Sequence, residues 1–109
     1  MAEEKKLRGA LGFAMKAGKC AAGDFAAEKL VKSAKARLVA LDAGASENTR
    51  QRYTGMCERA GIPLIEIEDM GAAIGKPGRM IAAVTDEGFA RMIAAAKDAA
   101  RQEKDKGVE

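Results

Sequence analysis

Histidine is absent from this chain, and its two cysteines, Cys20 and Cys57, match no zinc-binding or C-x-x-C spacing. A mixed Cys/His metal site is therefore excluded, and no thiol or hydroxyl has an imidazole to serve as its base. Aromatic residues are scarce, one tyrosine and three phenylalanines, so an aromatic ring set among charges stands out. No apolar run reaches the length of a membrane span, and Met1 leads straight into the charged segment AEEKKLR with no apolar signal region. These absences predict a cytoplasmic protein with reduced thiols, without metal, cofactor or membrane contact, and not an enzyme.

What is present describes one globular domain. The 109 residues are 48% hydrophobic and 32% charged, enough for a sizeable core without a disulfide or metal. The net charge of +3 is unevenly spread: Met1–Arg37 carries nine Lys and Arg against four Asp and Glu, whereas Leu38–Gly75 carries three against six. Cations concentrated in the first third are the electrostatic footprint expected for a polyanionic partner.

Periodicity places the elements. Leu7, Leu11, Ala14 and Met15 mark an amphipathic helix from about Glu4 to Ala17, ended by Gly18. A second helix from Gly23 to about Lys35 buries Ala27, Leu30, Val31 and Ala34. A third buries Tyr53, Met56, Cys57 and Ala60, with Ser46 or Asn48 as its cap and Gly61 as its stop. Asp69 is placed to cap a short turn, and Asp86 a last helix with Phe89, Met92, Ile93 and Ala96 inward. Three short apolar runs, Arg37–Leu41, Ile62–Glu68 and Met80–Val84, read as strands. Helices alternating with apolar strands predict an α/β domain, a three-layer α-β-α sandwich, over residues 1–100, and a polar, disordered tail over 101–109.

The stretch Lys16–Lys35 is the candidate site. Its second helix turns Phe25, Glu28, Lys29 and Lys32 away from the core, and Gly23 leaves the first backbone N–H groups open to a phosphate. Lys16, Lys19, Lys29 and Lys32 are expected to surround that end. Phe25 has two readings: a ring on which an unpaired base stacks, or a core residue if the helix starts one position later. Lys76 and Arg79 flank a Pro-Gly turn and are phosphate-contact candidates. Gly71-Ala-Ala-Ile-Gly75-Lys76-Pro77 is no P-loop, having one residue too few between the glycines, a proline after the lysine and a strand where a helix should follow. Cys20, beside Lys19, reads as an inert small residue, Arg50 and Arg52 as a solvated face, and Glu66 and Glu68 as strand-edge residues.

The order KAGK (16–19), Gly23, Lys29, Ala36–Val39, Asp42-Ala, Cys57-Glu58, Ile62-Pro63, Gly71–Lys76 and Ala82–Thr85 resembles the ribosomal protein 7Ae/30e family, closest to its small bacterial, ribosome-associated members. The resemblance implies an α-β-α sandwich around a mixed four-stranded sheet that binds kink-turn or internal-loop RNA through the start of the second helix and the loop before the last strand. On this chain those positions include Gly23, Asp24, Phe25 and Lys29, then Lys76, Gly78 and Arg79, and the lysines clustered at the helix start add Lys19 and Lys32 as RNA-contact candidates. Phe25 stands where the family has an asparagine that hydrogen-bonds a guanine edge, and Ala26 where it has a glutamate. The partners implied are ribosomal or other structured RNA and ribosomal proteins, with the chain itself a monomer. The alternative is a protein-interaction module of the same fold, whose contact surface is the acidic middle third with Phe25.

Overall fold

A computed structural model describes residues 2–108 of the chain, and side chains over residues 4–102. The elements follow in the order α1 (Ala2–Lys16), β1 (Cys20–Ala22), α2 (Asp24–Lys32), β2 (Leu38–Asp42), α3 (Glu47–Ala60), β3 (Leu64–Ile67), α4 (Met70–Ala73), β4 (Ile81–Val84) and α5 (Glu87–Val108). One mixed sheet runs in the order β1-β4-β2-β3, with β2 and β3 parallel and the other pairs antiparallel.

The strand pattern explains the two-sided core. β2 and β4 occupy the middle of the sheet, and their residues Leu38–Leu41 and Ile81–Val84 are all buried, which is why both read as unbroken apolar runs. Alternation sends Leu38, Ala40, Ala82 and Val84 to one side, against Leu7, Leu11 and Ala14 of α1, Met70 of α4 and Ile93 of α5. Val39, Leu41, Ile81 and Ala83 face the other side, against Ala27 and Val31 of α2 and Tyr53, Met56 and Cys57 of α3. The molecule is thus the three-layer sandwich expected, with α1, α4 and α5 on one face and α2 and α3 on the other.

Local chemistry sets the boundaries. Ser46 accepts a hydrogen bond from Thr49 N at 3.2 Å and caps α3, while Gly61, at φ 70°, ends it in the left-handed conformation. Asp86 caps α5 through Phe89 N at 2.9 Å. Asp69 does not cap α4 with its side chain; Asp42 does that from across the sheet end, its Oδ1 accepting from Met70 N at 2.8 Å and its Oδ2 from Gly44 N at 2.7 Å. Gly12 is required inside α1 because a Cβ there would sit 2.8 Å from the Ala73 carbonyl oxygen.

Several expectations need correction. Cys20–Ala22 supplies the fourth strand of the sheet that the resemblance implied, at a place where the apolar runs marked no strand. Ala34 leaves the buried stripe of α2 because the helix ends at Lys32 and Ala34 turns back at φ 63°. Ala60 and Met92 are exposed at the margins of their stripes. α5 carries the backbone past Arg101 to Val108, so a helix occupies most of the expected tail, and Glu109 lies outside the described residues.

Candidate RNA-binding cleft

β1 and β4 deliver two chain turns to one end of the sheet. Gly23 N donates to Ile81 O at 2.8 Å, which fixes the start of α2 beside the loop 75–80 that feeds β4. Between them opens a cleft of about 200 Å³ lined by Gly23, Asp24, Thr49, Gly78, Arg79, Met80 and Ile81. Gly23 sits at φ 108°, a conformation strained for any residue with a side chain. An added Cβ would lie 3.4 Å from Arg79 Nη1, so the guanidinium reaches across to the helix start. No side chain caps that start, and its first N–H groups have no partner within the helix.

The basic loop is held by α4. Lys76 N donates to Gly71 O at 2.8 Å, and Arg79 N to Lys76 O at 3.2 Å. Gly71 makes this possible, since a Cβ there would lie 2.8 Å from Lys76 O and 3.1 Å from Gly78 N. In the sequence Gly71 stands out only in the segment that is no P-loop and in the family resemblance; its role becomes visible with the loop folded on top of it. Lys76, Gly78, Arg79 and Met80 are all exposed.

On the helix side, Phe25 is 85% exposed beside the cleft, which settles its position outside the core. Lys29 follows it on the same exposed face, and neither it nor Lys76 or Arg79 has an ion pair with a described residue. Asp24 points elsewhere: its Oδ2 takes Arg52 Nη2 at 2.5 Å and its Oδ1 takes the Tyr53 hydroxyl at 2.5 Å. The Arg52 hydrogen bond, followed by that from Tyr53, holds the Asp24 carboxyl below its ordinary range, while burial and the same contact push the Tyr53 hydroxyl up. Arg52 also binds Glu28 Oε1 at 2.8 Å, so one guanidinium of α3 bridges both carboxylates on the outer face of α2, and Lys32, paired with Glu28, supplies the second positive charge. Arg52 and Arg50, the latter paired with Glu66, are therefore ties between elements and not a merely solvated face.

The cations expected around the helix start divide. Lys19 lies beyond the far end of β1, where its carbonyl accepts from Thr85 N at 2.9 Å, and Lys16 ends α1 before it. Lys32 closes α2, nine residues and about 13 Å from its start, and is paired with Glu28 at 3.0 Å. The strand β1 is the physical cause: an extended segment separates Lys19 from Gly23 by about 13 Å. Gly23, Asp24, Gly78 and Arg79 line the cleft, Phe25 and Lys76 stand exposed next to it in the chain, Lys29 lies in the middle of α2, and Lys19 and Lys32 lie at the other end. Burial raises the Cys20 and Cys57 thiols to about 11, in keeping with inert packing.

Fold and cleft together define a small α-β-α domain in which a glycine-opened helix start faces a basic loop. The profile of the ribosomal protein L7Ae/L30e/S12e/Gadd45 family matches residues 5–94, and the chain belongs to that family. Among curated relatives, the RNA-binding protein YlxQ of Bacillus subtilis (strain 168) is 37% identical over 86 residues, covering 76% of this chain and 86% of its own. YlxQ of Enterococcus faecium is 30% identical over 90 residues, covering 80% and 86%. Among solved structures, a Bacillus halodurans protein of unknown function superposes with a TM-score of 0.81 at 31% identity, over 85% of this chain and 97% of that one. The 15.5kD RNA binding protein of Giardia lamblia shares the fold, with a TM-score of 0.72 at 19% identity over 91% and 88% of the two chains.

Proposed function

We propose that this protein is a non-catalytic RNA-binding protein, cytoplasmic, monomeric and ribosome-associated, that takes structured RNA with an internal loop of the kink-turn type into the cleft between α2 and the loop 75–80. The observation that carries the reading is the meeting of Gly23 and Arg79: the uncapped helix start and a guanidinium that has no ion pair with a described residue face one concave space. Backbone N–H groups and a cation converging on one point are a phosphate site. The exposed ring of Phe25 beside it offers a stacking platform for a base that the internal loop leaves unpaired. With Phe25 and Ala26 at positions where the family has asparagine and glutamate, shape and stacking carry more of the recognition here than edge hydrogen bonds. The names of the Bacillus and Enterococcus relatives as RNA-binding proteins support the same reading.

The test is equilibrium binding of a duplex with a central internal loop against a plain duplex of the same length across a salt series. The expected result is tighter binding of the looped RNA, with affinity falling as salt rises by a log–log slope of roughly −0.7 to −0.9 per phosphate contact. Equal binding of both RNAs with a slope near zero would remove the proposal.

A further inference from the structure

The cations that the fold carries away from the cleft form a surface of their own. Cys20 and Ala22 pack on the α1 side of the sheet, so alternation turns Lys19 toward the α2 side. Leu38 packs on the α1 side as well, and Arg37 before it stands at the same end of the sheet as Lys19, 3.9 Å from Glu87 at the start of α5. The two residues flank the end of β4: Thr85 N donates to Lys19 O at 2.9 Å and Arg37 N to Val84 O at 2.7 Å. Arg37 Nη1 reaches back to Ala34 O at 3.4 Å, so the C-terminal end of α2, with Lys32 and Lys35, stands over this same edge. Lys19 and Lys35 are exposed and have no ion pair with a described residue.

The nearby carboxylates are already engaged. Glu28 binds Lys32 and Arg52, Glu87 lies 3.4 Å from Arg91 and 3.9 Å from Arg37, and Asp86 caps α5. We infer that this far edge, built from Lys19, Lys32, Lys35 and Arg37, is a second phosphate-contact surface, which holds the backbone of a stem adjoining the RNA segment seated in the cleft. The inference rests on the RNA reading of the cleft and adds the kind of RNA preferred: an internal loop with an extended stem on one side. The length of α2, about 13 Å, corresponds to roughly four phosphate spacings along a strand, so the second contact is out of reach of a loop closed by only two or three pairs.

The experiment compares two RNAs with one internal loop, closed by about three or about ten base pairs, on wild type and on K19Q/K35Q. Wild type binds the long-stem RNA more tightly, and two extra phosphate contacts make that advantage fall roughly tenfold between 50 and 200 mM salt. K19Q/K35Q removes the advantage and leaves short-stem binding and thermal midpoint unchanged. A double variant that keeps the long-to-short ratio, or that loses equally on both RNAs, overturns the second surface while leaving the cleft standing. Wild type that binds neither RNA brings down the cleft reading and this one with it.

Discussion

At the scale of single residues, binding and stability fall to different side chains at the helix start. Phe25 is 85% exposed, so Phe25→Ala should leave the unfolding free energy within about 0.5 kcal/mol of wild type, while weakening RNAs with unpaired bases by about 1–3 kcal/mol. Calorimetry and filter binding on the same variant check both halves; equal losses on looped and plain duplexes would take Phe25 out of the recognition set. Asp24 behaves in the opposite sense. Its carboxyl is held low in the folded state by Arg52 and Tyr53, so the stability it contributes is present above the unfolded carboxyl range near pH 4 and is lost as pH falls through the lower folded value. Asp24→Asn should therefore flatten the acid limb of a stability-versus-pH curve, by less than about 1 kcal/mol for so exposed an ion pair. An unchanged acid limb would show that the contact is not populated in solution.

At the scale of elements, the loop 75–80 depends on α4 for its shape. Gly71→Ala places a methyl group 2.8 Å from Lys76 O and 3.1 Å from Gly78 N, both backbone atoms that cannot step aside cheaply. A loss of about 1–3 kcal/mol of stability, read by denaturant titration and accompanied by weaker RNA binding, is the expected outcome; full binding by the variant would mean that the loop's position is irrelevant. Much of this arrangement was legible beforehand. The stripes Leu7–Leu11–Ala14 and Ala27–Val31, the Ser46 and Asp86 caps and the two central strands stand where periodicity puts them. β1 was not legible because three residues, Cys20–Ala22, at an edge of the sheet are too few to show alternation and lie between Gly18 and Gly23. Missing that strand also misplaced Lys19, since a helix wheel carries no information about an extended segment that precedes it. Gly71 and Arg52 were illegible for a related reason: each acts on a partner remote in the fold, and no local pattern encodes that distance.

At the scale of the whole molecule, charge is divided along the chain and not by layer. α2 and the loop before β4 carry Lys29, Lys76 and Arg79, which have no ion pair with a described residue, whereas Leu38–Gly75 holds the acidic surplus. A non-specific polycation surface would bind any polyanion alike, whereas a cleft with an exposed ring beside it predicts a preference for RNA with unpaired bases. The most direct measurement is amide chemical-shift mapping of the labelled protein as an RNA with an internal loop is added. The cleft predicts that the largest changes cluster at residues 23–29 and 76–81, with β3 and the outer face of α3 unmoved. Changes centred on the acidic residues of α3 and β3, or spread evenly over every exposed lysine, would contradict it.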